Sequence, residues 1–150
     1  MTDSSTVYVV GLAKSFASYT LHATTLSTAT GEAIASVNIP ANIKDDQSTF
    51  VAFSSSSGPS ATQAVAWLED GTLKAAMLTS DLKGQIMGLP GVKYDSIRDI
   101  GLSNNGQFLA ITAGGAAHVM HLDSRASSLQ PIWEFPDVVC STFVLVLIVY

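Results

Sequence analysis

Apolar residues along this chain fall in short runs, at 7–12, 19–27, 33–38, 48–53, 63–68, 72–78, 85–89, 97–102, 107–113, 116–122 and 131–135. Gly, Asp, Asn and Ser separate them. Helical periodicity is hard to find, and strand-like runs at this spacing predict an all-β sandwich, barrel or propeller. Within the runs the period is two. After Asp70-Gly71, Leu73, Ala75 and Met77 fall on one face, Lys74 and Ala76 on the other. In 116–122, His118, Met120 and Leu122 share a face, and Ala117, Val119 and His121 the opposite one. The breaks carry turn chemistry. Asp70-Gly71 between two apolar runs is a hairpin signal, because Gly takes the positive φ of a tight turn and Asp tolerates it. Gly114-Gly115 does the same between Ala113 and Ala116. Asn104-Asn105-Gly106 and Thr30-Gly31-Glu32 read as further turns.

The runs repeat. Setting Asp70-Gly71 on Gly114-Gly115 places Trp67 on Ile111, Leu68 on Thr112 and Leu78 on Leu122. Runs 48–53, 63–68, 72–78 and 85–89 then form one unit of four strands, and 97–102, 107–113, 116–122 and 131–135 a second. Four strands in roughly 40–50 residues is the size of a propeller blade. The expected architecture is an all-β partial β-propeller of quinoprotein-like four-stranded blades, with about two full blades plus fragments. Residues 1–137 carry the blades, the first unit being partial (7–12, 19–27 and 33–38). Residues 138–150 form an apolar tail, read as a strand of a further blade or as a truncated segment; their Val, Ile, Phe and Tyr favour the strand. The polar stretch SSSSGPSAT at 54–62 is a loop within a blade, since the repeat continues across it.

Composition narrows the function classes. Hydrophobic residues make up 47% and charged residues 13%, too apolar for a disordered chain. The net charge of −5 and the scatter of the seven Lys and Arg residues argue against a nucleic-acid partner. Cys140 is the single cysteine, so neither an internal disulfide nor a zinc motif is expected; Val138, Val139 and Phe143 around it suggest a buried, inert thiol. Met1 to Thr6 is polar and acidic, without the pattern of a secretory signal.

Candidate chemistry is sparse. His118 and His121 stand three apart, which on a strand sends them to opposite faces rather than to one metal. His22 stands alone in its run. Asp45-Asp46, Glu69-Asp70 and Asp95 with Asp99 all lie beside turns, where Asp commonly serves backbone geometry. No nucleophile elbow, phosphate loop or glycosylation acceptor appears. Trp67 and Trp133 lie in strands and read as core packing. The expectation is no catalytic residue, no cofactor-binding residue, no metal ligand and no cofactor.

One family shares these patterns. YVVGLAKSFASYTLH (8–22), the TGE turn followed by SVNIP (36–40), VAWLEDGTLKAAMLTSDLKG (65–84), DIGLSNNGQFLAI (99–111) and PIWEF (131–135) resemble subunit 1 of the endoplasmic-reticulum membrane protein complex, in its fungal form. The resemblance covers about the first 137 residues and implies part of a luminal N-terminal propeller region. It implies a non-catalytic scaffold and contact surface in a complex that inserts transmembrane segments of client proteins. The implied partners are the other subunits of that complex and the client membrane proteins. The implied location is the luminal side of the endoplasmic-reticulum membrane, with the family's signal and membrane span outside this chain. No functional residue carries over from the family. Two rivals are a quinoprotein-like propeller enzyme, suggested by fold type alone, and a cytoplasmic propeller adaptor.

Overall fold

The computed structural model describes residues 6–44, 51–54, 63–78, 82, 85–88, 93–94, 96–123, 125, 129 and 131–137. They form three antiparallel sheets. The first contains β1 (Thr6–Ser15), β2 (Ser18–Ser27) and β3 (Ala33–Lys44), side by side in chain order. The second runs β4 (Val51–Phe53), β5 (Gln63–Glu69), β6 (Thr72–Leu78), β7 (Gln85–Gly88). The third runs β8 (Ile97–Leu102), β9 (Phe108–Ala113), β10 (Ala116–His121), β11 (Pro131–Phe135). The all-β expectation holds over these residues. The tail 138–150, with Cys140, lies outside them, as do Asp45, Asp46 and Asp95.

Turn chemistry sets the register. Asp70 and Gly71 both take positive φ (50° and 74°), as do Gly114 and Gly115 (58° and 82°). Two successive positive-φ residues make the tight turn whose twist suits a hairpin. From these turns the pairings run back as Glu69↔Thr72 to Gln63↔Leu78, and Ala113↔Ala116 to Phe108↔His121. The β8–β9 turn is built differently. Ser103 Oγ donates to Asn105 Oδ1 (2.7 Å) and accepts the Phe108 N–H (3.0 Å), and the Gly106 N–H donates to the Ser103 carbonyl (2.9 Å).

The strand β3 runs past Asn38, where the apolar run of the sequence ends, and through Pro40, which cannot donate to a ladder. It is an edge strand, with β2 its one described neighbour, so a missing N–H is tolerated there. Pro40 falls within the irregularity between the pairs Leu21↔Ile39 and Tyr19↔Ile43.

The second sheet lies between the other two. Its Val65, Trp67, Ala76 and Leu78 pack with Leu21, Ala23, Ile39, Ala41 and Ile43 of the first sheet. Its opposite face, Ala64, Ala66, Leu73 and Ala75, packs with Ile100, Leu109, Ile111 and Met120 of the third. This double burial explains why Gln63 to Leu68 is continuously buried, whereas β2 and β3 of the first sheet alternate; in the third sheet Leu109 to Ala113 of β9 is continuously buried as well. The strand pairs β3 with β5, β4 with β8, and β5 with β8 approach across the layers.

Candidate functional site

The carboxylates beside Asp70-Gly71 form a clasp between two sheets. Glu69 Oε2 accepts the Asn42 backbone N–H from β3 (2.9 Å) and the Trp67 indole N–H (3.3 Å). Its Oε1 accepts from the Lys74 ammonium. Burial alone would raise the Glu69 pKa; the hydrogen bonds from Lys74, Asn42 and Trp67, with the Lys74 charge, outweigh it and hold the carboxyl below its ordinary range. Asp70, exposed, pairs with Lys44 at the end of β3, and that hydrogen bond and charge lower its pKa too. Both carboxylates thus face lysines, and both bridge from the β5–β6 hairpin to β3.

The histidines separate as the strand period requires. His118 packs its ring against Tyr94 (centroids 5.3 Å apart) and lies 3.8 Å from Glu134. Burial raises the Tyr94 phenol pKa, and the Glu134 charge adds to it. His121 sits on the other face against Phe108, with ring centroids 5.2 Å apart. His22 lies on the outer face of the first sheet, its Nδ1 2.7 Å from Asn38 Oδ1 and its Nε2 3.1 Å from Thr24 Oγ1. Asp99 pairs with Thr112 in the β8–β9 ladder. Among the described residues no group of three or more His, Cys, Asp or Glu side chains is placed to hold a metal ion. No helix among them is long and apolar enough to cross a membrane.

The two tryptophans part company. Trp67 is fully buried between the first and second sheets. Trp133 is not core: it stands 49% exposed on β11, stacked on Phe108 with centroids 6.3 Å apart. Its strand is at the sheet edge and all five of its residues are exposed, so the aromatic and β-branched composition that marks a strand did not mark a buried one. Phe108, His121, Trp133 and Phe135 share the face of the third sheet turned away from the second. The pairing back from Gly114-Gly115 brings Phe108 opposite His121, and this was the available sequence signal for the cluster.

A cleft of 310 Å³ opens between the first and second sheets, lined by Tyr8, Val9, Val10, Phe53, Ser54, Gln63, Ala64 and Leu78. Its polar floor is fixed: Ser54 Oγ accepts the Ala64 N–H (2.7 Å) and donates to Gln63 Oε1 (3.3 Å). Mostly apolar walls with few fixed polar groups suit contact with an apolar side chain better than charge chemistry.

No family model matches the chain, and no curated protein matches it. Among solved structures the chain is similar to one described as a complex of KlAtg21 with the coiled-coil of AgAtg16, at 10% identity and a TM-score of 0.51. The similarity covers 85% of this chain and 42% of that one, so the chain spans less than half the length of the structure it resembles. At this identity the likeness concerns the fold.

Proposed function

We propose that the three sheets are blades of a β-propeller, and that the chain is a non-catalytic scaffold and interaction region. The observation that carries the reading is the repeated four-stranded unit. β4–β7 and β8–β11 have the same strand order, and the first strand of each, β4 and β8, approach one another. Blades around a central channel are arranged in this way. The likeness in fold to part of a longer structure supports an array that extends beyond these sheets. The motifs at 8–22, 65–84 and 99–111 support placing it in the luminal part of the endoplasmic-reticulum membrane protein complex. Its partners there are the complex's other subunits and client membrane proteins.

The test is co-purification from fungal microsomes. Tagged protein should bring down other subunits of the complex and resist protease until the microsomes are opened with detergent. Recovery without any of those subunits, or digestion in sealed microsomes, would overturn the assignment.

A further inference from the structure

Among the described residues the first sheet is one strand short of its neighbours. Its β1–β2 turn, Phe16-Ala17, matches the β5–β6 turn: Phe16 takes φ 51° where Asp70 takes 50°, and the flanking pairs are Ser15↔Ser18 and Glu69↔Thr72. With one turn set on the other, Val10 falls on Ala64, Tyr19 on Leu73, Leu21 on Ala75 and Ala23 on Met77. The first of each pair packs against the second sheet, and its counterpart packs against the third. β1 and β2 are therefore the equivalents of β5 and β6, the second and third strands of a unit. β5 lies between β4 and β6, and β9 between β8 and β10, whereas β1 has β2 as its one described neighbour. Burial follows the neighbours. β5 and β9 are almost wholly buried, but on β1 Val7 and Val9 stand 46% and 47% exposed. A long apolar edge strand is a template for pairing with another strand.

The sequence of a first strand recurs at 141–150. Ser48-Thr49-Phe50-Val51 leads into β4, the first strand of the second sheet, and Ser141-Thr142-Phe143-Val144 repeats those four residue types in order. The spacing agrees. Val51 pairs with Trp67, and its counterpart Ile100 with Ile111. Val144 follows Ile100 by the interval that separates Asp70-Gly71 from Gly114-Gly115. The lead-in agrees too, since Val144 follows the end of β11 by the interval that separates β7 from β8. The chain thus holds a first-strand sequence, and a sheet whose second strand has an open edge.

We propose that residues 141–150 add to the open edge of β1 as an antiparallel strand and complete the first sheet. Carried over from Val51↔Trp67, the register is Val144↔Ala13, running to Tyr150↔Val7. Residues 143–150 then lie opposite 7–14, so the pairing uses almost the whole of β1. Leu145, Leu147 and Val149 fall on the side of Tyr8 and Val10, over the apolar cleft and its half-exposed Phe53. Val144, Val146 and Ile148 fall beside Ala13, Gly11 and Val9. The chain between Phe135 and Val144 reaches about 30 Å when extended. Two sheet spacings and three strand spacings make a diagonal of about 25 Å. The strand of the same chain is favoured over that of a second copy, because a short tether sets an effective concentration on the order of millimolar. The proposal deepens the propeller reading and rests on its repeat, not on membership of any complex.

Disulfide trapping in the full chain tests it, with Cys140→Ser removing the native thiol. Two pairs are made separately: Val9→Cys with Ile148→Cys, and Val10→Cys with Leu147→Cys. Successive antiparallel pairs alternate between a closer and a wider kind, so at least one should close under mild oxidation, within a single chain. Val9→Cys with Val144→Cys, on the same face but out of register, should stay reduced. Deleting 138–150 should speed amide exchange in β1 by about tenfold or more and leave Val65 to Leu68 slow. If the shortened chain unfolds outright, the trapping result decides. Failure of both in-register pairs would overturn the proposal, as would equal closure of the out-of-register pair, or exchange in β1 indifferent to the deletion. Those results would leave 141–150 to open a further blade instead. Disulfides formed between chains would overturn it in favour of a second copy. None of these failures touches the co-purification result, which tests the complex.

Discussion

Gly106 shows how much a single residue is asked to do. Its φ is +69°, and a Cβ there would meet Ala64 Cβ at 3.1 Å and Ser54 Oγ at 3.3 Å. Left-handed backbone costs an ordinary residue about 1–2 kcal/mol, and the close contact adds to it. Gly106→Ala should therefore lower stability by at least about 1 kcal/mol in denaturant titration, whereas Gly11→Ala, which has open space and no positive φ, should be close to neutral. The tryptophans give a matched pair. Trp67→Ala should cost about 3–5 kcal/mol, a large part of the stability of a domain this size. Trp133→Ala, half exposed on an edge strand, should cost well under half as much. Thr112→Val removes a buried hydroxyl that has no described partner, at nearly constant volume, and should hold or raise Tm.

At the scale of elements, the clasp from the β5–β6 hairpin to β3 makes stability depend on pH. The Glu69 pKa is depressed in the folded state, so the unfolded chain binds the proton more readily. Its contribution is complete above the ordinary carboxylate range and is lost as pH falls through the lower folded value. Stability of the native chain should thus start to fall as pH enters that range and go on falling through the lower folded value, and Glu69→Gln should lower stability at neutral pH while flattening its decline in acid. An unchanged acid limb in Glu69→Gln would assign the pH dependence to other groups. The hairpins themselves were legible in the sequence, because Asp70-Gly71 and Gly114-Gly115 state their turn type and the period of two states the register. The clasp was not. Asn42 offers a backbone N–H, which carries no side-chain signal, and it lies beyond the apolar run 33–38 that marks β3 in the sequence. Nor did composition separate Trp67 from Trp133, since both sit in strands and only the position of a strand within its sheet decides exposure.

For the molecule as a whole, the middle sheet has no side of its own to give to water. The amides of Val65 to Leu68 should exchange more slowly than those of β1 or β11, at the outer margins of the stack. Equal rates across all three sheets would argue that they open as one unit. The same layering bears on how the chain is made. A ribosome releases the first sheet with its Leu21, Ile39 and Ile43 already turned inward, before the strands that will cover them exist. At about 5–20 residues per second, each sheet waits some seconds for the next, and the second inherits the same predicament from the third. During those intervals the newborn chain presents a bare greasy surface, and a chaperone met at that moment would recognise a face that the finished protein hides.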